Sequence, residues 1–97
     1  MFRSSTERRL KEASAKLRRA RQELGVVEEQ HAALAEAADE TRIRALVSDS
    51  PLANREYQEA QRHADAMDRT RQSLVASIAE LQRLQDQLLD RLVVESR

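Results

Sequence analysis

A seven-residue spacing of apolar side chains runs through both halves of the sequence and is interrupted once, near a single proline. In each half, eleven positions alternate at intervals of three and four residues, and nine of the eleven are apolar in the first half. We call these positions the seam: Leu10, Ala13, Leu17, Ala20, Leu24, Val27, His31, Leu34, Ala38, Thr41 and Ala45, then Tyr57, Ala60, Ala64, Met67, Arg71, Leu74, Ile78, Leu81, Gln85, Leu88 and Leu92. Five heptads in each half are typical of a coiled coil rather than of an ordinary surface helix.

The interruption has the residues that end one helix and begin another. Ser50 is a favoured N-cap residue, and Pro51 fits the first helical turn, where its missing N–H leaves no hydrogen bond unmade. Ser4 and Glu7 have the spacing of a capping box and predict the start of the first helix. The sequence therefore predicts a single domain over 1–97, with a helix at about 5–47, a turn at 48–50 and a helix at about 51–95.

A loop this short makes the two helices antiparallel neighbours. The residue numbers of seam positions that face each other then add to a constant, and pairs such as Leu10 with Leu92 and Ala13 with Leu88 give 102 and 101. Half of that sum places the fold point at Pro51. The predicted fold class is all-α, a two-helix antiparallel coiled-coil hairpin.

Apolar residues beside the second half of the seam widen its apolar face beyond what two helices need. They include Val75, Leu84, Leu89 and Val93. We expect these four side chains to mediate oligomerisation into a four-helix bundle, as a homodimer, or docking on a partner. Scattered apolar exposure of no consequence is the alternative.

Composition limits the function classes more than it identifies one. The chain has no cysteine, one glycine and two aromatic residues, which excludes disulfide frameworks and thiol chemistry and argues against sandwiches, barrels and doubly wound folds. It has no glycine-rich phosphate loop and no nucleophile–base pair. We expect a protein that is not an enzyme and that has no cofactor and no metal.

The residues around the turn carry apolar side chains at positions where solvated residues are expected. We define the turn surface as six residues that would meet a protein partner: Ile43, Leu46, Val47, Asp49, Leu52 and Arg55. A contiguous exposed apolar patch marks an interaction site. The function that the sequence favours is a coiled-coil interaction or scaffold module that presents this turn to a protein.

Two polar residues, His31 and Arg71, fall in one seam layer when facing numbers add to 102. One interpretation is a pH-sensitive layer, because an arginine disfavours protonation of a neighbouring imidazole. The other, which we favour, is a polar layer that fixes the register of the helices, as polar residues at coiled-coil a positions do.

Equal numbers of acidic and basic residues, seventeen each, give no net charge, but the charge is unevenly distributed. Residues 1–22 sum to +6 and residues 23–41 to −6. An alternative function is nucleic-acid or anionic-surface binding through the basic residues of 3–21, although these occupy several helix faces. No apolar run approaches the roughly 18 residues of a membrane span, and no signal sequence is apparent, so we expect a cytoplasmic protein.

The segment after the turn resembles one known family. Asn54, Glu56, Tyr57 and Ala60 are similar to the run that follows the tip in bacterial Gre-type transcript-cleavage factors. The resemblance implies a bacterial coiled-coil hairpin that enters the secondary channel of RNA polymerase, where acidic tip residues help to hold a catalytic Mg²⁺. Ser50 and Ala53 stand where the family has its acidic tip residues, so the implied function is a channel-binding regulator without cleavage activity.

Overall fold

The computed structural model describes residues 2–97, and the side chains of residues 5–97. It has two helices, α1 (Phe2–Ser48) and α2 (Pro51–Glu95), and no strand in the described part of the chain. The predicted fold class, an all-α helical hairpin, is confirmed. The described residues form no helix that is both long enough and apolar enough to cross a membrane.

The two helices are joined by Asp49 and Ser50. The backbone N–H of Asp49 donates to the carbonyl of Ala45 at 3.0 Å, and Asp49 has a left-handed φ of 46°, the conformation in which helices commonly end. The hydroxyl of Ser50 accepts a hydrogen bond from the N–H of Ala53 at 3.1 Å. The prediction that Ser50 caps α2 and that Pro51 begins it is confirmed.

The predicted helix bounds need two corrections. Helix α1 begins at Phe2 rather than at about residue 5, so the backbone of Ser4 lies inside the helix and Ser4 is not its N-cap. Ser48 is still helical, so the turn is 49–50 instead of 48–50. The left-handed residue that ends α1 is Asp49, and one more residue is enough to start α2 because Ser50 caps it.

The chain divides into two compact units, each with a segment of both helices, where the sequence predicts one domain. The terminal unit consists of Met1–Leu24 and Leu74–Arg97, and the turn unit consists of Gly25–Ser73. In the terminal unit, Ala13, Leu17 and Leu88 are buried. In the turn unit the buried apolar residues are almost all alanines: Val27, Ala38, Ala45, Ala53 and Ala64.

The seam is confirmed as the face that is removed from solvent. Every one of its 22 positions is buried or half-buried, including the polar members His31, Thr41, Arg71 and Gln85. A strict three-four spacing puts these side chains on one side of each helix, where only the other helix can cover them.

Polar contacts between the two helices follow an antiparallel register. The side-chain amide of Gln85 donates to the hydroxyl of Ser14 at 3.1 Å in the terminal unit. In the turn unit His31 lies 3.8 Å from Asp68. The residue numbers add to 99 in both pairs, but Ser14 and Asp68 each lie one residue outside the seam. Thr6 and Glu95, which continue the seam spacing and are 3.0 Å apart, add to 101, as the predicted register requires.

Candidate functional site

Three polar side chains converge on one carboxylate in the turn unit. Asp68 Oδ1 accepts from Arg71 Nε at 2.9 Å and lies 2.9 Å from Arg71 Nη2. Asp68 Oδ2 accepts from Gln72 Nε2 at 2.8 Å, and His31 Nε2 approaches Oδ1 at 3.8 Å. The hydrogen bond from the Arg71 guanidinium and its positive charge hold the pKa of Asp68 below its usual value, although partial burial opposes this.

His31 and Arg71, expected as a polar seam layer, are therefore linked through Asp68. All three side chains are about one-third exposed. Asp68 looks like a solvated carboxylate in the sequence because it lies one position outside the seam. Its spacing of three residues from Arg71 is the signal that identifies the pair, since residues three apart are neighbours on a helix.

A shallow depression of about 310 Å³ lies beside this cluster in the turn unit. Its polar lining includes His31, Asp65 and Asp68, and Asp65 Oδ1 accepts a hydrogen bond from Gln61 Nε2 at 2.9 Å. Among the described residues, no three His, Asp or Glu side chains are grouped so that they could hold a metal ion. The carboxylates of Asp65 and Asp68 are thus engaged by amides and by Arg71, and a third in the lining, Asp39 Oδ1, lies 3.9 Å from Arg42 Nε.

The apolar members of the turn surface are all exposed. Val47 is 82% exposed and Leu46 is 73% exposed, and these are the highest values among the large apolar residues described. Ile43 and Leu52 are more than half exposed. The four side chains lie within ten residues of sequence on the two sides of the turn, so the structure brings them to one end of the turn unit.

Charged residues surround these apolar side chains. Asp49 and Arg55, the polar members of the turn surface, are exposed. Arg44 Nη1 lies 3.7 Å from Glu56 Oε2 on α2. Because this ion pair is largely exposed, it contributes little to stability.

The residues expected to mediate oligomerisation separate into two groups. Val75, Leu89 and Val93 are exposed on α2. Leu84 is half-buried and lines a groove in the terminal unit together with Arg9 and Lys16 of α1. The structure therefore leaves Val75, Leu89 and Val93 accessible to another molecule, whereas Leu84 packs partly inside the unit.

Sequence reasoning misses one further layer of the seam, in the terminal unit. Thr6 is buried, and its hydroxyl donates to Glu95 Oε1 at 3.0 Å, while Arg91 Nε lies 3.3 Å from the same oxygen. The signal is the spacing, since Thr6 lies four residues before Leu10 and Glu95 lies three residues after Leu92. A polar layer thus ends the seam of this unit.

Most of the residues on which the two alternative expectations depend are exposed. The cations of the basic segment whose side chains are described are exposed: Arg8, Arg9, Lys11, Lys16, Arg18, Arg19 and Arg21. Arg3 lies outside the described side chains. Asn54 and Glu56 are exposed, whereas Tyr57 and Ala60 are half-buried seam residues.

Comparison with protein-family models, with curated proteins and with solved structures gives no match to this chain.

Proposed function

We propose that this protein is a non-enzymatic helical hairpin that binds a protein partner through the turn surface. The observation that supports the proposal is the exposure of Leu46 and Val47 at the end of α1. Both side chains lie outside the seam, so packing of α1 on α2 does not require them to be apolar. Covering each of them on binding contributes about 1.5–3 kcal/mol of hydrophobic free energy.

The chemistry of the turn surface favours one kind of partner. An apolar centre formed by Leu46, Val47 and Leu52 fits an apolar groove, and the exposed Asp49 and Arg55 beside it favour a rim that carries both a cation and a carboxylate. Arg55 is exposed, so its guanidinium is accessible to such a carboxylate. The partner that fits is a protein with an apolar cleft whose edge carries charges of both signs.

The polar groups of the turn unit support a binding role rather than catalysis. The carboxylate of Asp68 is occupied by Arg71 and Gln72, and that of Asp65 by Gln61. Catalytic acids and bases need a free face toward a substrate in a cleft. These carboxylates instead stabilise the side chains of their own helix.

A pair of photo-crosslinking variants tests the proposal. A photoreactive amino acid at Val47 should capture a partner in the native host, and the same amino acid at Val26 should not. Val26 is the matched control because it is an exposed valine of the same unit, away from the turn. Equal capture at both positions would contradict a role for the turn surface.

Binding measurements with the purified partner complete the test. Leu46→Asp should weaken binding at least about tenfold, which corresponds to about 1.4 kcal/mol. Val26→Asp should leave the affinity unchanged, and circular dichroism should show that both variants keep their helices. An unchanged affinity for Leu46→Asp would refute the proposal.

A second candidate is a regulator that binds the secondary channel of RNA polymerase, as the resemblance to Gre-type factors implies. It is favoured by the exposure of Asp49, which lies one residue before the position where that family has an acidic tip residue. Core RNA polymerase should then retain the purified protein on a column, and the paired substitutions Asp49→Ala and Arg55→Ala should abolish this retention. Failure of the unaltered protein to bind core polymerase would eliminate this candidate and leave the first proposal intact.

A further inference from the structure

We propose that the terminal unit binds a second copy of this chain through α2, in one antiparallel register. The surface consists of six residues of α2, which we call the α2 stripe: Val75, Ala79, Gln82, Asp86, Leu89 and Val93. They follow one another at intervals of four and three residues. This is the spacing of a second heptad seam, so the six side chains share one face of the helix.

The intramolecular packing leaves this face uncovered. Val75 and Leu89 are 45% and 44% exposed and Val93 is 57% exposed, while Gln82 and Asp86 are exposed and Ala79 is half-buried. A helix that carries one apolar seam against α1 and a second one toward solvent has the pattern of a bundle helix with two neighbours.

The α2 stripe is complementary to the same stripe of a second copy. In an antiparallel pair of α2 helices, Val75 can face Val93 of the partner subunit, Ala79 then faces Leu89 of the partner subunit, and Gln82 faces Asp86 of the partner subunit. In this register every apolar residue of the stripe meets an apolar residue, and the two-fold symmetry repeats each contact.

Registers of the two α2 helices that are shifted by one heptad pair polar residues with apolar ones. A shift of one heptad in one direction places Val75 opposite Asp86 of the partner subunit, and a shift in the other direction places Leu89 there. Both shifts bury a carboxylate against an apolar side chain, which is unfavourable. A parallel, in-register pair would bring the two Asp86 carboxylates together, and like charges repel.

The central polar layer reinforces this choice. The side-chain amide of Gln82 can donate to the Asp86 carboxylate of the partner subunit, twice per dimer. A polar layer inside an apolar seam costs some stability but fixes orientation and register, because the antiparallel registers shifted by one heptad leave it unpaired.

Charges on α1 complement the same surface. Ser14, Arg18, Arg21 and Gln85 line a depression of about 450 Å³ in the terminal unit. Gln85 lies about one helical turn from Gln82 and from Leu89, so this depression borders the α2 stripe. Its two guanidinium groups therefore lie near the position that Asp86 of the partner subunit takes, where they favour its negative charge.

The small size of the α2 stripe indicates that the self-association is weak. Six residues on each subunit are fewer than the roughly 20–30 per side of a standard interface, so we expect a dissociation constant in about the micromolar range. The self-association is independent of the turn surface, because it uses residues of the terminal unit alone.

Analytical ultracentrifugation across about two decades of concentration around that value should show a monomer–dimer equilibrium. Leu89→Glu should raise the dissociation constant at least about tenfold, because it places a carboxylate in the apolar layer with Ala79 of the partner subunit. Val94→Glu is the matched control and should have no effect, since Val94 is exposed on α2 but lies outside the stripe. A protein that stays monomeric throughout, or an equal effect of the two substitutions, would overturn the proposal.

Disulfide trapping tests the register, because the chain has no cysteine of its own. A mixture of Val75→Cys and Val93→Cys chains should form the mixed disulfide under mild oxidation. Val75→Cys alone should remain unlinked, because its two copies would be about 27 Å apart at 1.5 Å per residue. Efficient self-linking of Val75→Cys would refute the antiparallel arrangement.

A Leu46→Asp chain should dimerise normally, which separates this proposal from the function of the turn.

Discussion

Asp68 shows how one side chain can determine the polar contacts of a whole seam layer. It lies beside the seam, accepts hydrogen bonds from Arg71 and Gln72, and approaches His31 on α1. The half-buried guanidinium of Arg71 thereby gains a partner on its own helix. The cluster supports the structural interpretation of the layer, since the cation and the imidazole are bridged by a carboxylate rather than opposed.

The lowered pKa of Asp68 predicts a specific dependence of stability on pH. Because its pKa is lower in the folded than in the unfolded chain, the ionised carboxylate contributes stability above its usual pKa of about 3.9. That contribution is lost as the pH falls through the lower, folded-state value. Asp68→Asn should therefore lower the melting temperature at neutral pH, and the difference from the unaltered protein should shrink near pH 2.

Thermal unfolding followed by circular dichroism at the two pH values measures this effect. Asp90→Asn, which removes an exposed carboxylate, controls for the change in net charge. A difference for Asp68→Asn that is the same at both pH values would show that the ionised form of Asp68 contributes nothing.

Replacing Gly25 by alanine should stabilise the fold. It lies inside α1 and is exposed, and a Cβ added there would have no heavy atom within 4 Å apart from Gly25 itself, its two chain neighbours and the adjacent backbone of α1. Alanine in a helix interior is more favourable than glycine by about 1 kcal/mol, so Gly25→Ala should raise the melting temperature by about 4–8 °C. A lower melting temperature in differential scanning calorimetry would mean that the helix requires glycine at this position.

At the scale of the helices, the turn is defined by two residues with different tasks. Asp49 adopts the left-handed conformation that ends α1, and Ser50 satisfies an N–H group at the start of α2. Ser50→Ala removes this cap and should destabilise the fold by about 1 kcal/mol. Ser48→Ala is the matched control, because Ser48 is an exposed residue of the last turn of α1.

Chemical denaturation with urea measures both serine variants. We expect a lower midpoint for Ser50→Ala with an unchanged slope, and a midpoint for Ser48→Ala close to that of the unaltered protein. Equal midpoints for the two variants would show that water replaces the Ser50 hydroxyl at no cost.

At the scale of the whole molecule, stability depends on a few buried side chains in each unit. Leu88 is 3% exposed, whereas its neighbour Leu89 faces solvent. Leu88→Ala should cost about 2–5 kcal/mol, a large part of the total stability of a small domain. Leu89→Ala should cost less than about 1 kcal/mol when the protein is too dilute to associate.

Urea denaturation at low protein concentration compares the two leucine variants. At concentrations where dimers form, Leu89→Ala should become more destabilising, because dissociation then contributes to unfolding. Similar losses for both variants in dilute solution would mean that α2 packs with a face other than the seam.

Much of the fold is predictable from the sequence because helical periodicity is a local property. The three-four spacing correctly identifies all 22 seam positions as buried or half-buried, and Ser50 and Pro51 mark the start of α2. The start of α1 is less predictable, since the local signal of Ser4 and Glu7 is weak and the helix continues past it to Phe2.

The contacts between the helices are harder to predict from spacing. The residue numbers of contacting side chains add to 99 for His31 with Asp68 and to 101 for Thr6 with Glu95, so the seam spacing alone does not say which side chains touch. In the turn unit Asp68, one residue outside the seam, approaches His31, and Arg71 contacts Asp68. Likewise, Leu84 and Leu89 look alike beside the seam, but only the packing shows that Leu84 lies in a groove with Arg9 and Lys16.

By itself, the sequence of this protein determined which face of each helix leaves solvent and where the chain reverses, because both depend on residues close together along the chain. Only the tertiary structure decided which residues meet across the two helices, how the Asp68 cluster is connected, and which apolar side chains remain exposed. Those outcomes depend on the length of a two-residue turn and on the reach of individual side chains, which the spacing of apolar residues does not encode.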